Sequence, residues 1–427
     1  MNHLELPLQL KGPWQHALIL TYGADIPFFE NALWRQFSGR CKNKIILADG
    51  QRYLEACMHY AQNGLVRHLN QLYVAEGIYT SHAAHAKLIL LTNSTRGRLL
   101  VGSGNLSWQG YASGGEQFSL YEYNAEDDIH TETFNAFLTV QELLEALISQ
   151  GYISGQFVIK RIRHLLSAEQ TPWLYQAPVG DRQPVRHNLN ESFLSQLQQV
   201  VGDQPVNELW ILSPFYDKKA IALRQMLDTF QPGQARLLVQ PGHTSVDPTV
   251  LQNVLDEFPQ CSVHAFTLDN DNPYAHAKLY LLKLANRAIC LQGSPNLSQV
   301  AMLRPALHGN IELANLLAGQ PNEFDDLLET LDLQPQAVSL DGLELSYIAP
   351  EPPVRELLET WQLTGGDWHN EVLRLSFRGH LPDLEGASLV INNRVFKLPG
   401  TGGIGFETSR RSNGPARASC PGQAALE

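Results

Sequence analysis

Short apolar runs alternate with longer amphipathic stretches along most of this chain. Runs such as HALILT at residues 16–21 and KIILAD at residues 44–49 are almost wholly apolar, which is typical of strands buried on both faces of a sheet. Stretches such as ESFLSQLQQV, which begins at Glu191, repeat apolar residues at helical spacing. Strands that alternate with helices predict an α/β fold.

The same order of elements occurs twice. NELWILSPFYDKKAIALRQML at residues 207–227 repeats the pattern of HALILTYGADIPFFENAL at residues 16–33, and ARLLVQ at residues 235–240 matches KIILAD. Two longer blocks, SHAAHAKLILLTNSTRGRLLVGSGNLS at residues 81–107 and YAHAKLYLLKLANRAICLQGSPNLS at residues 274–298, align without a gap across their distinctive positions. In both blocks the histidine of HAK stands 20 residues before the asparagine of GSGN or GSPN. The repeat predicts one α/β unit used twice.

The repeated blocks carry the side chains that phosphodiester cleavage needs. A histidine and a lysine two residues apart on a strand would point to the same face, and the glycine-bounded turns would bring a hydroxyl and an amide close to a ligand. One such block would be equally consistent with an ordinary strand end and turn, but two copies at equal spacing favour a site. A nucleophile, a proton donor and groups that bind the phosphoryl oxygens are then all present without a metal or cofactor. The candidate catalytic residues are His85, Lys87, Asn105, His276, Lys278 and Asn296.

These paired HAK and GSxN motifs resemble those of the phospholipase D superfamily, and the resemblance spans residues 12–319. It implies two pseudo-twofold-related phospholipase D-like α/β/α sandwich units whose motifs meet in one active site. It also implies that His85 and His276 act as nucleophile and general acid/base, the first motif usually supplying the nucleophile. The lysines and asparagines would bind the phosphoryl oxygens.

The resemblance extends to supporting residues and has one departure. Ser103 and Ser294 would support the phosphoryl pocket. Glu116 in GGEQF and Glu312 in GNIEL resemble the acidic residues that hydrogen-bond a catalytic histidine; the alternative is an exposed acid in a loop. The family's signature aspartate is replaced by Thr92 and Lys283, and the tyrosyl-DNA phosphodiesterases are similar in lacking it.

The repeat and the composition divide the chain into five predicted segments. Residues 1–175 are the first half, residues 176–190 a proline-rich crossing linker, and residues 191–334 the second half. LELSY, EVLRLSF and SLVINNRVFKL predict short strands in a β-rich accessory module at residues 335–407. Residues 408–427, TSRRSNGPARASCPGQAALE, show no regular pattern. They end in Ala-Ala-Leu-Glu, which commonly precedes a purification tag, so we expect this tail not to be native.

Composition and charge exclude several classes of protein. A hydrophobic content of 44% excludes wholesale disorder, and a formal net charge of −12 argues against a protein that coats nucleic acid through a basic surface. The five cysteines show no spacing suited to zinc, so we expect reduced thiols and no metal. No apolar run approaches the roughly 20 residues that span a bilayer, and the first residues lack a signal-peptide pattern. We therefore expect a cytoplasmic protein with no membrane partner.

The first hypothesis for the substrate is a nucleic acid, which would make the protein a metal-independent nuclease that cleaves DNA through a phosphohistidine. Candidate contacts are the basic residues Arg96, Arg98, Lys160, Arg161 and Arg163, although a solvated helix face is an equal alternative. Tyr22, Phe215 and Tyr216 are placed to stack on bases or to fill the core.

Two other functions remain open at this point. A phospholipase D-type enzyme could hydrolyse or transfer lipid headgroups, and a silent relative could serve as a nucleic-acid-binding scaffold. The resemblance further implies an effector of a bacterial restriction or defence system that works beside a separate ATPase or helicase. Because one chain carries both motifs, either a monomer or a homodimer is consistent with the sequence.

Overall fold

The computed structural model describes residues 5–112, 115–127, 132–268, 274–329, 331–334 and 336–349, and the strands at residues 362–369, 372–378, 388–391, 394–397 and 423–426. The chain divides into two units. One comprises Met1–Ala146 with Leu165–Pro350, and the other comprises Leu147–His164 with Glu351–Glu427. The first unit contains both copies of the repeat.

The first copy of the repeat forms a six-stranded mixed sheet. Its strands are β1 (His16–Thr21), β2 (Asn43–Asp49), β3 (Val74–Ile78), β4 (Leu88–Thr92), β5 (Arg96–Gly102) and β6 (Phe118–Asn124). The spatial order is β3-β2-β1-β4-β5-β6, in which the first three strands are parallel and the other neighbours pair antiparallel. β1 and β2 are buried along their whole length, as their continuous apolar runs predict.

The second copy builds the same sheet with an extra strand at each edge. Its strands are β7 (Val185–His187), β8 (Glu208–Leu212), β9 (Gln234–Val239), β10 (Cys261–Thr267), β11 (Leu279–Lys283), β12 (Ala288–Gly293), β13 (Leu313–Gly319) and β14 (Asp332–Leu333). The order is β14-β10-β9-β8-β11-β12-β13-β7, and the middle six strands repeat the order and directions of the first sheet. The predicted duplication of one α/β unit is confirmed.

Helices flank both sheets. Asp49, Ser192 and Asp247 cap the N-termini of three of them by accepting backbone N–H groups. No described helix is long and apolar enough to cross a membrane. The helices are α1 (Leu6–Gln9), α2 (Ile26–Phe28), α3 (Gly50–Asn63), α4 (Trp108–Ala112), α5 (Asn135–Ser149), α6 (Gln156–Leu165), α7 (Phe193–Val201), α8 (Ile221–Phe230), α9 (Pro248–Glu257) and α10 (Asp326–Glu329).

The first sheet shows how apolar side chains cover both faces. On one face Phe29 packs against Tyr73, with ring centroids 4.9 Å apart. On the other, Trp173 near the end of the first half stacks on Tyr123 of β6 at 4.6 Å and contacts Phe137 of α5. A sheet covered in this way holds its strand ends rigidly, which is what a site built at those ends requires.

The two sheets meet through a buried polar network. Asn315 of β13 is fully buried, and its Nδ2 donates to the carbonyl oxygens of Val101 at 3.1 Å and Gln292 at 3.4 Å. Its Oδ1 accepts a hydrogen bond from the Tyr121 hydroxyl at 2.9 Å, and Gln292 Nε2 donates to Ser119 Oγ at 2.7 Å. Because buried polar groups are stable only with partners, this network fixes how the halves align.

The second unit contains α6 and five short strands, β15 (Gln362–His369), β16 (Val372–Arg378), β17 (Ser388–Ile391), β18 (Arg394–Lys397) and β19 (Gln423–Leu426). β16 pairs antiparallel with β15 and β19, and β17 pairs antiparallel with β18. β16, β17 and β18 lie in the predicted runs EVLRLSF and SLVINNRVFKL. β19 lies in the tail, where we predicted no structure; residues 408–422 and residue 427 are outside the described residues.

The units differ from the predicted segments in two places. Residues 147–164, which we assigned to the first half, belong to the second unit, and residues 336–349, which we assigned to the β module, belong to the first. The predicted strand LELSY at residues 343–347 is a loop with a single bridge from Ser346 to Ser245. The carbonyl of Glu344 accepts the N–H of Gly242 at 2.7 Å. These contacts are distant in sequence, so local patterning does not reveal them.

We expect Asn315→Leu to lower the free energy of unfolding by about 2–4 kcal/mol, because it removes the amide that accepts from the Tyr121 hydroxyl and donates to the Val101 carbonyl across the two sheets. Urea unfolding followed by tryptophan fluorescence measures the loss. Combined with Tyr121→Phe, the loss should be smaller than the sum of the two single losses, because both ends of one hydrogen bond are then removed. Strictly additive losses would contradict the network.

Candidate active site

Both HAK triplets lie in extended chain immediately before a strand. Leu88 and Leu279, the residues that follow each lysine, are the first residues of β4 and β11, so the triplets precede the strands and are not within them as predicted. The ladder nevertheless continues, since the N–H of Gly102 donates to the Lys87 carbonyl at 3.3 Å and the N–H of Gly293 to the Lys278 carbonyl at 3.4 Å. This pairing sets each GSxN turn beside its own HAK.

Each triplet is held by backbone from the other half. The N–H groups of His85 and Ala86 both donate to the carbonyl of Ile311, at 2.8 Å each. The N–H groups of His276 and Ala277 donate to the carbonyl of Gly115, at 2.7 and 3.0 Å. The exchange is reciprocal, as a pseudo-twofold axis between the two motifs requires.

Each histidine also contacts the glutamate of the other half. His85 Nδ1 lies 3.0 Å from Glu312 Oε2, and His276 Nδ1 lies 2.9 Å from Glu116 Oε1. Because a carboxylate only accepts hydrogen bonds, each Nδ1 carries its proton, and each Nε2 keeps its lone pair for chemistry. The structure therefore brings both histidines and both glutamates into one site, and the prediction that the acids hydrogen-bond the histidines agrees with this geometry.

The two serines hold the glutamates. Ser103 Oγ donates to Glu116 Oε2, and Ser294 Oγ donates to Glu312 Oε2. We predict from the sequence that both serines support the phosphoryl pocket, and the structure shows the groups through which they could do so. Both hydroxyls are fully buried behind the carboxylates, so they orient each Glu–His pair.

Glu312 has partners that the sequence did not reveal. Asn310 Nδ2 donates to its Oε1 at 3.0 Å, and its own N–H donates to Asn188 Oδ1 at 2.8 Å. Asn188 comes from the crossing segment and is fully buried, with its Nδ2 donating to the carbonyls of Arg304 and Asn310. No motif marks Asn188, because its role depends on contacts more than a hundred residues away in the chain.

Asp49 and Gln240 are equivalent residues of the two halves whose role in the site was not predicted from the sequence. Asp49 Oδ2 accepts the N–H of Ala84 at 2.9 Å, and Gln240 Oε1 accepts the N–H of Ala275 at 2.8 Å. Each therefore fixes the residue just before a histidine. The available signal was their position, since they end the matched runs KIILAD and ARLLVQ.

The GSxN turns are anchored to the ends of β1 and β8. Thr21 Oγ1 accepts the N–H of Leu106 at 2.9 Å, and Ser213 Oγ accepts the N–H of Leu297 at 3.0 Å. Asn105 Oδ1 is only weakly engaged, with the N–H of Gly23 at 3.4 Å, and Asn296 Oδ1 is buried without a hydrogen-bond partner among the described residues. The Nδ2 groups, which alone could donate to a phosphoryl oxygen, make no hydrogen bond to the described residues.

Burial dominates the titration of the histidines. Removal from water lowers the pKa of His85 to about 4, and the nearby ammonium groups of Lys87 and Lys278 add to this while Glu312 opposes it. Burial and Lys278 also lower the pKa of His276, against the effect of Glu116. Both imidazoles are therefore neutral at pH 7 in the free protein.

The lysines and glutamates form one compact charged cluster. Burial lowers the pKa of Lys87 to about 8 and that of Lys278 to about 7, although both glutamates favour the ammonium form. For Glu312, burial is outweighed by His85, Lys87 and the serine hydroxyl, so its pKa lies below the usual range, and the pKa of Glu116 is lowered in the same way. Each ammonium donates to the carbonyl of its own histidine, at 2.6 Å for Lys87 and 2.5 Å for Lys278.

The two lysines differ in one contact. Lys278 Nζ also lies 3.0 Å from His276 Nε2. No hydrogen bond among the described residues occupies His85 Nε2. The pseudo-symmetric frame therefore holds two imidazoles with different surroundings, one open and one paired with an ammonium. Among the described residues, no group of three His, Cys, Asp or Glu side chains is placed to hold a metal ion.

The basic residues of β5 are not part of the site. Arg96 and Arg98 lie at the start of β5, whose other end, Gly102, adjoins the site, so about 13–20 Å of strand separates them from it. Arg96 is paired with Glu126, just beyond β6, at 3.4 Å, and Arg98 is paired with Glu122 of β6. The structure therefore does not place these two residues beside the catalytic groups, and nucleic-acid binding by them stays a prediction.

The other predicted basic residues lie on α6 of the second unit. Lys160 and Arg163 are exposed, and the Arg161 guanidinium lies 5.0 Å from the Phe157 ring. Val158, Ile159 and Ile162 are buried, so α6 is amphipathic. Its charged face remains a predicted contact surface.

Two of the three predicted aromatic residues lie beside the histidines, and the third lies in the core. The Tyr22 ring lies 5.1 Å from the His85 ring, and the Phe215 ring lies 6.1 Å from the His276 ring. Both are half-buried at the mouth of the site. Tyr216 belongs to the core of the second half, as the structural alternative proposed.

Comparison with known proteins gives a likeness in fold only. No protein-family model matches the chain, and no curated protein matches its sequence. A variant of yeast tyrosyl-DNA phosphodiesterase is 10% identical over 80% of this chain and 90% of that chain, with a TM-score of 0.48. Phosphatidylserine synthase from Haemophilus influenzae is 13% identical over 82% of this chain and 89% of that chain, with a TM-score of 0.45. Polyphosphate kinase from Porphyromonas gingivalis is 12% identical over 76% of this chain and 46% of that chain, with a TM-score of 0.39.

We expect Gly115→Ala to disturb His276 specifically. Gly115 has φ +78°, and a Cβ there would lie 2.1 Å from the Tyr274 carbonyl oxygen. The Gly115 carbonyl, which accepts the N–H of His276, must therefore move. The matched control is Gly64→Ala at the end of α3, where φ is +61° and no atom lies within 4 Å. The control should lose about 1 kcal/mol of unfolding free energy, and Gly115→Ala clearly more.

The imidazole NMR signals of His276 give a second measurement. They should shift in Gly115→Ala and stay unchanged in Gly64→Ala. Equal losses of stability and unshifted signals would show that the carbonyl of Gly115 does not position this histidine.

Proposed function

We propose that the protein is a phospholipase D-type phosphodiesterase that cleaves a nucleic acid, DNA in particular. The observation that carries the proposal is the exchange of glutamates, in which His85 is bonded to Glu312 and His276 to Glu116. It supplies two imidazoles in one site, one with an open Nε2 and one whose Nε2 is paired with an ammonium, beside two lysines that can neutralise a phosphoryl group. The resemblance of the paired HAK motifs to the phospholipase D superfamily supports the same chemistry.

In the first step, Nε2 of His85 attacks phosphorus in line. A P–N bond forms as the P–O bond to the leaving group breaks, and the bonding electron pair departs with the leaving oxygen. His276 transfers a proton to that oxygen. Because Lys278 Nζ lies 3.0 Å from His276 Nε2, the pair shares one proton, and the ammonium supplies it through the imidazole.

In the second step, water attacks the phosphohistidine. His276 accepts a proton from the water, the P–N bond breaks, and its electron pair returns to His85 Nε2. The Lys278–His276 pair then again holds the proton that it lost in the first step. His85 suits the role of nucleophile because its Nε2 is open, whereas that of His276 is paired with an ammonium.

The aromatic residues at the mouth favour a nucleic acid as substrate. Tyr22 beside His85 and Phe215 beside His276 are half-buried rings on either side of the reacting phosphate, and nucleobases stack on such rings. Arg52 Nε donates to the Tyr22 hydroxyl at 3.0 Å, which places beside this ring a guanidinium that is also paired with Glu55.

We expect His85→Ala and His276→Ala each to reduce turnover by at least about 10²–10⁴-fold, because each removes one partner of the proton and phosphoryl transfers. Cleavage of single-stranded DNA, duplex DNA, RNA and phosphatidylcholine is measured in the presence of EDTA. The exposed His59→Ala variant is the control and should keep full activity. Activity in either site variant, or cleavage of the lipid alone, would contradict the proposal.

The intermediate should be trapped with a p-nitrophenyl phosphodiester. Its leaving group needs no proton, so His276→Ala should still release one equivalent of p-nitrophenolate and then accumulate phosphohistidine, since no base activates water. Mass spectrometry after an alkaline quench should place the phosphoryl group on His85. A label on any other residue would overturn the assigned roles.

The pH profile follows from the buried lysines. Lys278 and Lys87 lose their protons as the pH rises through about 7 and about 8, respectively, so kcat/KM should fall on the alkaline side of this range. His85, with a pKa of about 4, is protonated below that pH, so kcat/KM should also fall there. A bound phosphodiester anion raises the lysine pKa values, so the alkaline limb of kcat should lie at higher pH than that of kcat/KM. Coincident limbs would indicate that the lysines do not face the phosphate.

A further inference from the structure

One side of the cleft is lined by aromatic rings. Around His276, the ring of Phe215 lies at 6.1 Å and that of Tyr274 at 5.6 Å, and the ring of His243 lies 5.4 Å beyond Tyr274. All three are half-buried and come from three separate segments, after β8, after β9 and before β11. We call these three residues the aromatic wall.

The repeat shows that the aromatic wall is specific to this side. Thr21 and Ser213 make the same hydrogen bond to the residue after each asparagine, which matches Phe215 with Gly23. The anchors Asp49 and Gln240 match His243 with Arg52.

The residues before the histidines complete the comparison. The same two anchors bind the N–H groups of Ala84 and Ala275, which matches Tyr274 with Ala83. Glycine, arginine and alanine therefore stand in the first half where the second half has three rings.

Two cationic groups contact the ring beside His85. The Arg52 guanidinium, which is also paired with Glu55 at 3.0 Å, lies 5.6 Å from the centroid of the Tyr22 ring, and the Lys87 ammonium lies 5.7 Å from it. The Tyr22 hydroxyl is also occupied by Arg52 Nε. A ring so engaged by cations suits contact with phosphates more than it suits stacking on a neutral ring.

We propose that the aromatic wall is a subsite for an aromatic ring on the leaving group, which in a nucleic acid is the base of the departing nucleotide. The inference rests on the proposed function. In-line attack by His85 places the leaving oxygen opposite, next to His276, and thus beside Phe215 and Tyr274. The retained part of the substrate then lies on the side of Tyr22 and Arg52.

Two stable phosphonates test the subsite by binding alone. In methyl phenylphosphonate and methyl methylphosphonate, a P–C bond stands in place of the scissile P–O bond, and the two compounds differ only in the ring. Calorimetry should give the phenyl compound a Kd about 10-fold lower, as expected for one stacked ring. Phe215→Leu, which keeps an apolar side chain but removes the ring, should bring the ratio of the two Kd values close to 1.

Tyr22→Leu is the matched comparison, since it removes the ring on the opposite side. It should leave the ratio of Kd values near 10, and the exposed Tyr175→Leu, remote from the site, should do the same. A ratio that survives in Phe215→Leu, or is lost in Tyr22→Leu, would overturn the subsite. Equal binding of both compounds by the unmodified protein would also overturn it and leave the proposed function intact. Failure of the protein to bind either compound would contradict the proposed function itself.

Discussion

The hydrogen bonds between His85 and Glu312 and between His276 and Glu116 are the contacts on which the rest of the structure depends. Glu312 is fully buried, and a buried carboxylate is stable only when its oxygens are satisfied. Its main partner, His85, lies in the other copy of the repeat. Docking of the two halves and assembly of the site are therefore the same event, and neither half can form a complete site by itself. The buried network around Asn315 serves this arrangement by fixing how the two sheets align.

Duplication supplies two equivalent sets of groups, and small differences between them separate their roles. The backbone hydrogen bonds to each HAK triplet and the serine hydrogen bonds are the same in both halves. Lys278, however, contacts Nε2 of His276, whereas Lys87 leaves Nε2 of His85 open. Glu312 is also held by Asn310 and, through its backbone, by Asn188. A symmetric frame thus gives one open imidazole and one that shares a proton with its neighbour, which is the division that a double displacement needs.

Much of the fold and the centre of the site could be predicted from the sequence, because a repeated motif records equivalent positions in space. HAK and GSxN recur at equal spacing, so His85, His276 and their lysines were found without a structure. The position of Arg96 and Arg98 at the end of β5 away from the motifs could not be predicted, because proximity in sequence to a motif says little about which end of a strand a residue occupies. Asn188 and Asn310 were missed because their partners are set by the crossing segment, whose path no local pattern encodes. The loop at residues 343–347 was read as a strand for the same reason, since alternation cannot show which edge is available.

The overall acidity of the protein and its proposed anionic substrate are compatible because the site is electrically balanced. When both imidazoles are neutral and both lysines are protonated, the ammonium groups of Lys87 and Lys278 offset the carboxylates of Glu116 and Glu312. These carboxylates are already occupied by histidine and serine donors, so they repel a phosphoryl group less than their formal charge suggests. The lysines are less fully satisfied, since burial lowers both pKa values despite two neighbouring acids. A phosphodiester anion would therefore supply the charge that the buried ammonium groups lack, so binding and neutralisation would reinforce each other.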